Sequence, residues 1–268
     1  MIKTIYNLIE ILESNDRSKH LFPPTEVYSE GWMLRLVLNW FSNNQVVEND
    51  LSFFVNSRWF SEALLSSKFL PLWRGDNLSE SWTHADGVIG HFEIGNNGNG
   101  DLKITDNAKQ LIVCEAKMFS KYSSGTKNAP KYNQVARNVA CMCNICTTQK
   151  NDINEIKIGF FGLIPEIQLK NERTFNIYIA KQNIGETVLN RINQYKERSD
   201  FKEKIDWYND KFVPFLEHIN IQNISWESVI DYIQNKDSVY GLGLNEFYQK
   251  CIIYNNVNKK KHRTTAST

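Results

Sequence analysis

Two short apolar runs separated by a helix-length segment constrain this chain more than any other feature. Residues 111–118 read Leu-Ile-Val-Cys-Glu-Ala-Lys-Met, and residues 156–164 read Ile-Lys-Ile-Gly-Phe-Phe-Gly-Leu-Ile. Runs of this length, rich in β-branched and aromatic residues, suit strands buried on both faces. Between them lie a polar Gly/Ser loop (120–130) and a helix expected over Lys131–Thr148. Strand, helix and strand in that order predict an α/β or α+β core.

The flanking pattern adds elements on both sides. Ile5, Leu8, Ile9 and Leu12 fall at helical spacing, predicting a first helix over residues 3–14. After Pro23-Pro24, Thr25 is a candidate N-cap for a second helix through Glu30, Leu34, Val37 and Phe41 to Asn43-Asn44. Residues 61–69 suggest a third, shorter helix. Ala85–Ile94, Asp101–Thr105 and Gln110–Met118 read as three consecutive strands, an antiparallel meander. The run from Gly95 to Gly100 between them lacks the Gly-Lys-Ser/Thr of a phosphate loop and reads as a hairpin connection. From Gly185 the pattern is largely helical, with Trp207, Phe212, Phe215 and Leu216 as packing residues and Ser225 opening a further helix. One domain is expected over 1–258, with a core at about 25–180, a C-terminal helical part at about 185–256 and a basic, disordered tail at 259–268.

Charge and cysteine usage narrow the setting. Lys+Arg total 31 and Asp+Glu 30, which excludes a histone-like or acidic-tail protein but allows a basic groove balanced by an acidic metal site. The longest apolar stretch, 158–164, is far short of the ~20 residues that span a bilayer, so no membrane partner is expected. Asn7 and Glu10 break the N-terminal apolar run, so it reads as a helix rather than an export signal. Five cysteines, Cys114, Cys141, Cys143, Cys146 and Cys251, are an odd number without such a signal, which points to a reducing, cytoplasmic setting without disulfides.

The chemistry concentrates on the strand at 111–118. Side chains alternate across a strand, so Glu115 and Lys117 share one face while Cys114, Ala116 and Met118 share the other. A carboxylate and an ammonium at the end of an apolar strand cost desolvation energy unless they line a cleft or find partners. Asp86, in His84-Ala85-Asp86-Gly87-Val88-Ile89-Gly90, opens another apolar strand; if the two strands pair, the carboxylates converge. Asp86, Glu115 and the Ala116 carbonyl then offer the oxygen ligands a hard divalent cation such as Mg²⁺ prefers, with Lys117 beside a bound water.

This order of residues resembles the PD-(D/E)XK nuclease superfamily, the restriction-endonuclease-like fold, whose signature is an acid, a variable spacer, then Glu or Asp, any residue, and Lys on adjacent strands. Here these are Asp86 and Glu115-Ala116-Lys117, with Ala85 where the family's proline stands; the likeness covers roughly residues 25–165. It implies an α/β fold with a central mixed sheet flanked by helices, and hydrolysis of phosphodiester bonds, above all in DNA, by water held on Mg²⁺ or Mn²⁺. It also implies accessory roles for Glu30, in line with the apolar stripe of the second helix, and for Gln134, on one face of the next helix with Asn138, Cys141 and Ile145. Lys121, Lys127, Lys131 and Arg137 are candidate phosphate contacts. Cutting both strands commonly uses paired subunits, so a homodimer is expected. A role in bacterial defence follows from the same likeness.

Plainer readings stand beside each of these. Glu115 and Lys117 also fit a surface ion pair worth about 0–1 kcal/mol, Glu30 a helix-start acid, and Gln134 a surface amide. A binding module without catalysis, or an RNA-cleaving nuclease, uses the same fold. Cys141 and Cys143 lie about 200° apart on a helix, so the cysteine cluster reads as core rather than a metal site. His84 and His91 read as hydrogen-bonded histidines, and every tryptophan but Trp82 as a core residue.

Overall fold

The structure, a computed structural model, describes residues 10–12, 14–15, 21–44, 46, 48–95, 100–148 and 152–256. Most of the helix expected over 3–14 and all of the tail at 259–268 lie outside these residues; 10–12 and 14–15 are helical. In chain order the elements are α1 (Glu30–Asn44), β1 (Arg58–Leu65), β2 (Thr83–Gly90), β3 (Phe92–Ile94), β4 (Leu102–Ile104), β5 (Gln110–Ala116), α2 (Gln134–Thr148) and β6 (Lys157–Ile164). There follow α3 (Glu166–Asn171), α4 (Thr174–Ile179), α5 (Lys181–Asn193), α6 (Phe201–Trp207), α7 (Val213–His218), β7 (Asn220–Ser225), α8 (Trp226–Lys236) and α9 (Ser238–Asn255).

A mixed five-stranded sheet runs β1-β2-β5-β6-β7. β1, β2 and β5 pair antiparallel, whereas β5-β6 and β6-β7 are parallel. Helices cover both faces, which leaves all seven residues of β5 buried. On one face Ile112, Cys114 and Ala116 pack with Phe161, Leu163, α1 residues Leu34, Val37 and Phe41, and Trp226 and Tyr248 from the C-terminal helices. On the other, Leu111 and Val113 pack with Phe160, Ile164 and α2 residues Val135 and Val139. Period-2 alternation thus sorts β5 between two cores, and Glu115 continues the α2 face.

Several expected elements take another form. Pro23-Pro24 starts a single 3-10 turn, Pro24–Glu26, and α1 opens only after Ser29, whose carbonyl accepts from Met33 N at 3.0 Å. Residues 61–69 are not a helix: Arg58–Leu65 is β1, held in the sheet by seven register partners in β2. Short runs carry little helical preference of their own, and ladder pairing decides their state. The three strands do not form a meander either, because β2 ends at Gly90 and pairs directly with β5, while β3 and β4 fold aside as a separate two-stranded sheet. Gly90 has φ +152°, and a Cβ there would lie 2.2 Å from the Gln110 carbonyl oxygen, so only glycine lets the chain leave the ladder at that point. The segment after Gly185 is largely helical, as expected, with one addition: β7 completes the sheet beside β6 between the helices. Trp32 and Trp73 are exposed rather than core, each over an arginine, Arg35 at 5.0 Å and Arg198 at 4.5 Å.

Gly162 faces Glu115 across the β5-β6 ladder, and a Cβ there would sit 1.8 Å from the Tyr122 hydroxyl oxygen, which donates to Asn223 at 2.8 Å. Gly243, inside α9, is the opposite case: a Cβ added there would meet nothing within 4 Å, so the glycine contributes only its backbone entropy cost. Gly162→Ala is therefore expected to destabilise the fold by about 1–3 kcal/mol, and Gly243→Ala to stabilise it by about 0.5–1 kcal/mol. Urea denaturation of both variants beside wild type measures the two signs.

Candidate active site

The ladder between β2 and β5 ends at the pair Gly87–Cys114, so Asp86 is the next residue on β2, beside Glu115. There the strands part and a side chain takes over from the backbone: Ala116 N donates to Asp86 Oδ2 at 2.8 Å. In an extended strand a residue's N–H and C=O point to the same side, so the Ala116 carbonyl also faces Asp86. Lys117 N instead donates to the Leu163 carbonyl at 2.9 Å, on the β6 side. The location, at the C-terminal end of a parallel strand, is where open α/β sheets bind ligands.

Glu115 is 1% exposed and is satisfied from several elements at once. Lys117 Nζ donates to its Oε1 at 2.6 Å, and Gln134 Nε2, from the first turn of α2, donates to the same oxygen at 2.5 Å. Asn138, one turn further along α2 and fully buried, reaches Oε2 at 3.3 Å. The helix is held for this by Asn133, whose side chain accepts from Ala136 N at 3.0 Å. Burial, together with the adjacent Asp86 carboxylate, pushes Glu115 up to about 8 against the opposing pull of Lys117. Burial works against the charge on Lys117, yet the Glu115 and Asp86 carboxylates raise it above the usual lysine value. Glu30, at the start of α1 on the opposite face, is also raised, first by its burial, and it lies within electrostatic reach of both Lys117 and Asp86.

The structure brings Asp86, Glu115, Ala116, Lys117 and Gln134 together, with Glu30 within electrostatic reach. Of the expected phosphate contacts, Lys127 and Arg137 line a cleft of about 640 Å³ together with Asp86, Gln134, Glu80, Trp82 and His84. Lys121 instead pairs with Glu172 at 2.9 Å, and neither it nor the exposed Lys131 lines the cleft. Contacts that spacing did not single out hold the loop after Lys117. Trp226 Nε1 donates to the Lys117 carbonyl at 3.0 Å; Gln168 accepts from Phe119 N at 3.1 Å and donates to the Ser120 carbonyl at 2.7 Å. Phe119 has φ +68°, so these bonds fix a turn that a non-glycine residue rarely adopts. The Tyr122 ring lies 5.9 Å from Lys117 Nζ. Asn138, the third donor to Glu115, had a sequence signal, one helical turn beyond Gln134, whereas Trp226, Gln168 and Tyr122 had none.

The donor set fits a hard divalent cation: two converging carboxylates and a strand carbonyl are oxygen ligands. Burial and the neighbouring Asp86 carboxylate raise Glu115, and a nearby cation offsets the repulsion between the two acids. Among the described residues no group of three or more His, Cys, Asp or Glu side chains is disposed to hold a metal. The five cysteines are free and buried, and burial pushes the Cys141 and Cys146 thiols up to about 12. His91 is tied to the Val55 carbonyl at 2.9 Å. Comparison with protein-family models, curated proteins and solved structures found no match to this chain. No described helix is long and apolar enough to cross a membrane.

The raised Glu115 makes stability depend on pH. Between about pH 5 and 8 the unfolded chain releases a proton that folded Glu115 retains, so this group's contribution falls as pH rises through that window. Relative to wild type, Glu115→Gln is therefore expected to gain stability steadily from pH 5 to pH 8. Urea midpoints at three pH values test this, and a difference that stays constant across the range refutes it.

Proposed function

We propose that this chain is a metal-dependent nuclease of the restriction-endonuclease-like kind that hydrolyses phosphodiester bonds, with DNA as substrate. The observation that carries the reading is the meeting of Asp86, Glu115 and Lys117 where β2 and β5 part, with Gln134 from the following helix bonded to Glu115. A surface ion pair needs none of this. Glu115 is buried and held by three donors, and the α/β sheet with helices on both faces agrees with the fold that such a site uses.

Each residue has a role that its surroundings support. Asp86 and Glu115, with the Ala116 carbonyl, would hold Mg²⁺ or Mn²⁺, which stabilises charge developing on the phosphate and lowers the pKa of a bound water. Lys117, charged and anchored through its carbonyl by Trp226, orients the attacking water. Gln134 spans the buried Glu115 and the open cleft, since it bonds the first and lines the second. It therefore fixes the carboxylate and faces the substrate with the same side chain. Lys127 and Arg137 offer cationic contacts to phosphates on the cleft wall. Glu30 adds negative potential from α1.

Purified protein is expected to cut plasmid or single-stranded DNA with Mg²⁺ or Mn²⁺ and not with EDTA. Glu115→Ala and Lys117→Ala should each lower the rate at least about 100-fold, while Lys131→Ala, away from the cleft, should change it little. Parallel assays on RNA decide the polymer. Inactive wild type on both polymers, with no metal binding by calorimetry, would overturn the catalytic reading in favour of a binding module on the same fold.

A further inference from the structure

The cleft that opens beside Asp86 and Gln134 carries more than a phosphate track needs. On its wall stands Trp82, 38% exposed, with no aromatic or hydrogen-bond partner among the described residues. It sits just ahead of β2, four residues before Asp86, so the indole and the acid are borne by one short stretch of chain. Trp32 and Trp73, the other tryptophans exposed to a similar degree, each lie over an arginine, which gives their ring faces a partner. Lys127 and Arg137 line the same cleft.

The cleft residues also hold unused hydrogen-bonding capacity. Glu80 Oε2, Thr126 Oγ1 and Arg137 Nε are buried atoms without a partner, and all three residues line this cleft. Glu80 Oε1 is taken by the Ser67 hydroxyl at 2.5 Å, so its second oxygen is the spare acceptor. Buried polar atoms normally find hydrogen-bond partners, and three that lack one belong to residues in the wall of this cleft. Its volume, about 640 Å³, falls in the range of small-ligand sites.

A flat apolar ring face and cations for phosphate in one cleft of this size together match a nucleotide. The base must moreover be free to stack. Inside a continuous duplex both faces of a base are covered by its neighbours, so an indole can take a base only from a single-stranded, frayed or flipped position. We propose that this cleft seats one unpaired nucleotide next to the cleaved phosphate, its base stacked on Trp82, so that the protein favours single-stranded DNA or strand ends over continuous duplex. This identification rests on the nuclease reading for the meaning of the adjacent carboxylates, but its test does not.

The test is fluorescence anisotropy with full-length protein in EDTA, where no cutting occurs. The probes are a labelled single-stranded oligonucleotide, the same sequence as a blunt duplex, and single strands carrying an abasic site at successive positions. Trp82→Ala is expected to weaken single-strand binding between about fivefold and 150-fold, the usual worth of one stacked base, and to leave duplex binding unchanged. Trp82→Phe, which keeps a ring face, should retain most of the affinity. One abasic position should weaken wild type but not Trp82→Ala. Unchanged single-strand binding by Trp82→Ala, an equal loss on duplex, or an equal loss in Trp82→Phe overturns the proposal, as does a wild type that binds no single strand. Thermal melts confirm that the exposed substitutions leave the fold intact. Base-dependent binding without metal-dependent cutting would leave the subsite standing and remove the nuclease reading, whereas cutting that ignores Trp82 would do the reverse.

Discussion

A carboxylate buried at the end of a fully buried strand is the constraint on which the rest of this structure depends. Glu115 is 1% exposed, and an ionised carboxylate taken out of water without compensation costs several kcal/mol. Its compensation is distributed over the fold. Lys117 comes from the same strand, Gln134 and Asn138 from α2, and Asp86 from β2. Moving α2 along the sheet by one turn would strip Glu115 of two donors. The position of the helix and the state of the carboxylate are therefore one requirement, and Gly162 belongs to it, since the bare backbone opposite Glu115 admits Tyr122 under the site.

The local pattern of the site was legible in the sequence, and its surroundings much less so. Alternation alone puts Glu115 and Lys117 on one face and Ala116 on the other, and the structure sorts the neighbouring residues of β5 between two cores in that way. Asp86 could be placed beside Glu115 on the condition that their strands pair, because it opens one apolar strand and Glu115 stands at the end of another. What periodicity could not reveal is pairing between segments distant in sequence. Residues 61–69 look helical in isolation, yet Arg58–Leu65 becomes a strand because β2 offers it a ladder; Asn220–Ser225 is short, polar at several positions, and recognisable as a strand only once β6 presents an open edge. The β3-β4 excursion turns on the backbone of Gly90, which a hydropathy pattern does not register. Trp226 and Gln168 support the loop after Lys117 from far along the chain, by contacts that no spacing rule anticipates.

The same electrostatics set how the site can respond to a cation. At rest the Asp86–Glu115 pair is neutralised by the Lys117 ammonium and by the proton that burial and mutual repulsion keep on Glu115 up to about pH 8. A dication at these oxygens competes with that proton, so metal affinity on this reading rises with pH over the window in which the fold loses Glu115's contribution. On the nuclease reading, proton, ammonium and dication would be alternative counter-charges for one buried pair. A site made from a surface ion pair would lack this coupling, because water would screen each charge separately. Here the helix donors Gln134 and Asn138 suit Glu115 in either protonation state, since amide donors serve an ionised or a protonated carboxyl, and the position of α2 does not depend on which form is present.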